Sequence, residues 1–153
     1  MTDKGLLKKF YLFRGVVPDD LAVVEACAER KHCAPAELIF REGEEADAMY
    51  FVELGTVEIM KISTGVTVLV MVGSGDGFGE IAFFDRGKRP ATARAQEASH
   101  LIRIPFAALT QVLKQRPSLA RVFYHNACVF LAKRLRRTLV DLSFARALNE
   151  RHF

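Results

Sequence analysis

The stretch Phe78-Gly-Glu-Ile-Ala-Phe-Phe-Asp-Arg-Gly-Lys-Arg-Pro-Ala-Thr-Ala-Arg-Ala95 decides how the rest of the chain is read. Gly79-Glu80 opens one expected turn of helix, a short loop follows, and Arg89 stands at the head of a Thr-Ala-Arg-Ala strand. A glycine lets backbone amides approach a ligand closely, and a helix N-terminus favours negative charge. A guanidinium fork matches phosphate oxygens in pairs. Glu80 is an acceptor that repels a second anion, so it suits a sugar hydroxyl. The residues therefore point to a pocket for a phosphate attached to a sugar.

Upstream, the apolar pattern has period two. Glu37–Arg41, Ala48–Leu54, Thr56–Ile62 and Val66–Val72 read as short strands, separated by turns at Glu42–Asp47, Gly55 and Thr64-Gly65. Gly43 and Gly55 are expected at positive φ or in tight turns. Gly75-Asp-Gly delivers the chain to the stretch quoted above, and Ser99–Pro105 is a last strand after it. Short strands at this spacing argue an antiparallel barrel or sandwich. Before them, residues 5–14 form a short amphipathic run, and Pro18-Asp-Asp starts a helix that fades near Arg30-Lys-His. After them, Phe106–Lys114 is helical and breaks near Arg116-Pro117. No proline or glycine interrupts from Ser118 to about Leu148. Apolar residues there recur at threes and fours, including Leu131, Leu135 and Leu142. At ~1.5 Å per residue such a helix is about 45 Å long, more than a small β domain covers, and its exposed stripe calls for a symmetric partner helix.

These segments resemble the cyclic nucleotide-binding domains of catabolite activator proteins, kinase regulatory subunits and gated channels. Phe78, Gly79, Glu80, Ile81, Ala82, Arg89, Ala91 and Thr92 match the family's phosphate-binding cassette, as does the spacing from Glu80 to Arg89. Arg41-Glu-Gly-Glu, Met49-Tyr-Phe-Val and Gly55-x-Val-x-Ile resemble its strands and glycines. The resemblance implies a mainly β fold: an antiparallel, jelly-roll-like (cupin-type) β-roll with flanking helices. One domain would span 1–153, with N-terminal helices over 1–35 and the roll over 36–105, including the cassette at 78–95. C-terminal helices would fill 106–150, with a dimerisation helix at about 118–148. It also implies ligand-binding roles for Gly79, Glu80, Ile81, Ala82, Arg89, Pro90 and Ala91. Glu80 would hold the ribose hydroxyl and Arg89 the cyclic phosphate. In the activator branch a hydroxyl residue of the long helix meets the base, which implies Thr138 here. Arg134 is the other candidate for closing over the base.

Pro90 departs from the family pattern. The residue after the arginine is ordinarily Ser, Ala or Thr, whose N–H reaches the phosphate, and proline has none. One charge-assisted hydrogen bond is worth roughly 1.5–3 kcal/mol, so its loss weakens phosphate binding about ten- to a hundred-fold. Arg86 and Lys88, in the same loop, are either compensating cations or solvated loop residues.

Composition narrows the function classes. A net charge of +4 over 153 residues is compatible with an anionic ligand and too weak to argue nucleic acid. Lys133–Arg137 is a basic run that reads as a solvated helix face. About five residues follow Leu148, too few for a helix-turn-helix domain, so no DNA partner is expected. Three cysteines without a Cys-x-x-Cys pair read as free thiols in a cytoplasmic protein. His32-Cys33 lacks a second ligand pair, so no metal is expected. No signal peptide or membrane span is evident. No nucleophile–base set accompanies Glu80 and Arg89, which argues against an enzyme. The expectation is a cytosolic cAMP-like receptor module, a homodimer, with no cofactor beyond its ligand, that signals through its C-terminal helix to an unknown effector protein. Pro90 leaves cGMP in play. The alternative is a degenerate roll used as a ligand-free dimerisation or docking module.

Overall fold

The computed structural model describes residues 5–63 and 65–151. Thr64, in one expected turn, and both ends of the expected 1–153 domain lie outside the described residues.

Two 3-10 turns, Leu6–Lys9 and Tyr11–Phe13, lead to α1 (Pro18–Ala26). Strands β1 (Glu29–Cys33), β2 (Leu38–Phe40), β3 (Ala48–Leu54), β4 (Thr56–Lys61), β5 (Thr67–Gly73) and β6 (Gly77–Phe78) follow. A one-turn helix α2 (Ile81–Asp85) precedes β7 (Thr92–Ala95) and β8 (Ser99–Pro105), and α3 (Phe106–Gln115) and α4 (Pro117–Arg151) end the described chain. The strands make two four-stranded antiparallel sheets, in the orders β1-β8-β3-β6 and β2-β7-β4-β5. This is the antiparallel β-roll with a long C-terminal helix that the resemblance implied.

β3 shows why these residues settle there. Side chains alternate across a strand, and β3 has apolar cover on both faces. Ala48, Tyr50 and Val52 point between the sheets, against Phe40, Val57, Val72, Phe78 and Leu101. Met49 and Phe51 point the other way, into a helical cluster with Phe10, Phe13, Leu109, Leu119 and Phe123. That second cluster pins the start of α4 to the roll. Asn126 Nδ2 reinforces it by donating to the carbonyls of Leu12 (3.0 Å) and Arg14 (2.9 Å). Gly55 takes φ 106°, and a side chain there would strike Ser99, so the β3–β4 turn requires glycine. Gly43 likewise has φ 86°.

One expectation needs correction. Residues 29–33 form β1, paired with β8 from Glu29↔Arg103 to Cys33↔Ser99, so the roll begins before residue 36 and the N-terminal helices stop at Ala26. Glu-Arg-Lys-His-Cys has no apolar alternation to betray a strand, since only Cys33 is buried. The ladder to β8 and the ion pairs Glu29–Arg103 (3.0 Å) and Arg30–Glu53 (3.0 Å) hold it instead. A charged edge also discourages pairing with other chains.

The long helix is longer than expected, 35 residues or about 52 Å. Leu119, Phe123 and Ala127 are buried, whereas Leu135, Leu139, Val140, Leu142, Phe144 and Leu148 are exposed.

Candidate functional site

The two sheets, α2 and the middle of α4 enclose a cavity of about 750 Å³, within the range usual for small-molecule sites. All eight residues expected to bind ligand line it: Gly79, Glu80, Ile81, Ala82, Arg89, Pro90, Ala91 and Thr138. Arg134 lines it too.

Arg89 is the anchor of one wall. Its side chain is 3% exposed, with Nη1 donating to Gly79 O (3.0 Å) and Nη2 to Ala48 O (2.6 Å). The guanidinium lies 3.9 Å above the Phe40 ring. Gly79 makes this possible: it has φ 81°, and an added Cβ would come within 3.0 Å of Arg89 Nη1. The backbone locks the same residue in place, Arg89 N–H donating to Glu44 O (2.9 Å) and Gly43 N–H to Arg89 O (2.8 Å). Among the described residues no carboxylate ion-pairs with Arg89, and its Nε is buried without a hydrogen-bond partner. Burial accordingly pulls its ionisation below the usual arginine range. A buried cation held by carbonyl dipoles and one aromatic ring, with one donor orphaned, suits an anion.

Glu80 faces it across the cavity, 2% exposed, at the N-terminus of α2. Burial raises its ionisation above the usual carboxylate range, while Arg134 opposes that shift. Arg134 Nη1 reaches Glu80 Oε1 at 3.3 Å. The same guanidinium lies 4.8 Å from the Phe130 ring, and Phe130 stacks on Tyr11 at 3.8 Å. The Tyr11 hydroxyl is buried beside Glu80, and burial, then the Glu80 charge, pushes its ionisation far up. Thr138 Oγ1 donates to Arg134 O (3.0 Å), so its proton is used inside the helix and its oxygen remains an acceptor. Phe83 and Phe84 of α2 pack on Phe123 at 5.8 Å each, tying the cassette to α4.

Arg86 and Lys88 are not brought to the cavity. Arg86 ends α2 at φ 55°, and Lys88 pairs with Glu45 at the surface (3.8 Å). The additional cations in the lining are Lys61 and Arg137, joined by Asp141. Sequence reasoning missed them. Lys61 continues the Val57, Ile59 face of β4, a period-two signal that was available, but nothing local says that this face lines a cavity. Thr92 is structural, its Oγ1 accepting from Glu42 N–H at 2.9 Å. His32 meets His100, ring to ring at 4.3 Å, and among the described residues no group of three or more His, Cys, Asp or Glu could hold a metal.

Residues 30–116, more than half of the chain, match the cyclic nucleotide-binding domain family. The chain belongs to that family. The cyclic AMP receptor protein of Thermus thermophilus is 29% identical over 143 residues, covering 90% of this chain and 64% of that protein. The crystal structure of the Thermus thermophilus catabolite activator protein superposes with a TM-score of 0.75 at 26% identity, over 88% of this chain and 62% of that one. The regulatory domain of Toxoplasma gondii PKA, crystallised with cAMP, gives 0.67 at 26% identity, over 71% of this chain and 42% of that one. This cyclic nucleotide-binding domain thus spans less than two thirds of the length of the curated receptor it matches.

Proposed function

We propose that this domain is a cytoplasmic receptor for a 3′,5′-cyclic nucleotide, cAMP before cGMP, and that it reports occupancy to a partner protein through α4. The observation that carries the reading is Arg89, a buried guanidinium that among the described residues ion-pairs with no carboxylate and has an orphaned Nε, lining a cavity of nucleotide size. The phosphate would complete its charge, and Glu80 would accept from the ribose. Arg134 holds Glu80 Oε1, so a sugar hydroxyl on the same carboxylate would bear on that contact, which is how binding would reach α4. Phe83 and Phe84 give the cassette a second, packed route to the same helix. Free thiols suit a reducing compartment, and among the described residues no helix is long and apolar enough to cross a membrane.

The exposed apolar residues beyond Leu135 fit a second copy of α4, giving a homodimer. Calorimetric titration with cAMP and cGMP tests the receptor reading; saturable heat and a raised melting temperature are expected. A second reading, the roll kept as a ligand-free docking or dimerisation module, draws on Pro90 and on Arg134 already holding Glu80. No heat and no thermal shift at millimolar nucleotide would select it.

A further inference from the structure

Pro90 leaves the cassette one donor short, and the structure holds another donor beside it. Lys61, on β4, lines the cavity, and its Nζ donates to Pro90 O at 3.0 Å. We propose that Lys61 takes over the phosphate-binding role of the missing Pro90 N–H, an inference that rests on the cyclic-nucleotide reading above.

Lys61 is held in place rather than waving in solvent. Its ammonium pairs with Glu42 at 2.7 Å, and Glu42 is itself tied down. Its carboxylate accepts from Ile62 N (3.1 Å), Ser63 N (3.1 Å) and Ser63 Oγ (3.0 Å), and its own N–H donates to Thr92 Oγ1. An ammonium carries three N–H donors. Glu42 and Pro90 O take two, which leaves one for an acceptor in the cavity. Proline also makes this arrangement possible from the other side: it has no N–H to compete for the ligand oxygen that Lys61 would bind. The two positions form one unit, a donor moved from the cassette backbone to a neighbouring strand. The moved donor carries a full charge, so the ligand it suits has an anionic phosphate and not merely a polar sugar.

The test is a double-mutant cycle read by calorimetry with cAMP and cGMP. Lys61→Met should weaken binding about ten- to a hundred-fold, the worth of one charge-assisted hydrogen bond. Pro90→Ser alone should change affinity less than about threefold, because the place is already filled. Lys61→Met with Pro90→Ser should recover most of the loss, and Lys61→Arg should keep most of the affinity. A merely structural role for Lys61 predicts no rescue by Pro90→Ser. The proposal is overturned if Lys61→Met binds as wild type, or if the double variant is as weak as Lys61→Met alone. Should Lys61→Met fail to fold, Pro90→Ser decides: a gain of ten-fold or more in the wild-type background means that the place was empty and overturns it. Nucleotide binding that Arg89→Ala abolishes and Lys61→Met leaves intact removes this inference and keeps the receptor. No binding by the wild type removes both.

Discussion

The cavity has two walls built on different principles. The cassette wall is rigid: Arg89 is fixed by four backbone groups, two through its side chain and two through its own amide and carbonyl. The helix wall reaches Glu80 through an ion pair, Arg134 to Glu80 at 3.3 Å, made by a side chain that is 42% exposed. Solvent reaches this pair from the arginine side only, since Glu80 is 2% exposed. The contrast separates two tasks. On the proposed function, the wall fixed by backbone groups would recognise, and the wall joined to Glu80 by a half-solvated arginine would report.

The largest expected effect sharpens the first half of that contrast. Arg89→Ala should cost nucleotide binding a hundred-fold or more, read by calorimetry, because the phosphate loses its buried countercharge. Affinity equal to wild type would mean that the cassette does not recognise the ligand. Next, Leu135→Glu should convert dimer to monomer in sedimentation velocity, since it places a charge in the exposed apolar stripe of α4. An unchanged sedimentation profile would put any dimer elsewhere. Arg134→Ala should change affinity by no more than about ten-fold, yet abolish ligand-dependent hydrogen exchange in residues 130–142. If it eliminates binding as fully as Arg89→Ala, the two walls do not divide the work.

The smallest effects are in stability against pH. Burial raises the folded-state ionisation of Glu80, so its charged form costs stability above that value, and the cost fades as pH falls towards the ordinary carboxylate range. Glu80→Gln should therefore raise the melting temperature of the unliganded protein at pH 7 by about 2–4 °C, the shift that ~1 kcal/mol produces in a domain of this size, with the gain shrinking near pH 4.5. Glu42 has the opposite sign. Lys61 and the amides of Ile62 and Ser63 hold it down to about 2, so its contribution is present above the ordinary carboxylate range and is lost as pH falls through about 2. Glu42→Gln should flatten that acid limb in a thermal melt series.

The cassette was legible because its chemistry is local. Gly79, Glu80 and Arg89 lie within a dozen residues, and each has a conformational or charge reason to be there. β3 and β8 were legible from period two. β1 was not, since Glu29–His32 gain their strand from a partner seventy residues away in the chain and not from their own polarity. The Glu80–Arg134 pair spans 54 residues and the Lys61–Pro90 pair 29, and no spacing rule joins either. Pro90 shows the cost of reading locally. Alone it looks like a lost donor; beside Lys61 it looks like a substitution with its complement.

The stacking of Tyr11 on Phe130 gives the molecule an optical handle of its own. The chain has no tryptophan and three tyrosines. Tyr50 is sealed between the sheets and Tyr124 lies on the half of α4 that is pinned to the roll. Only Tyr11 bridges the N-terminal turns and the part of α4 that leans over the cavity. A ligand that pulls Arg134 from Glu80 would change the charges around that ring pair, so ultraviolet emission from the unlabelled protein should register the event directly.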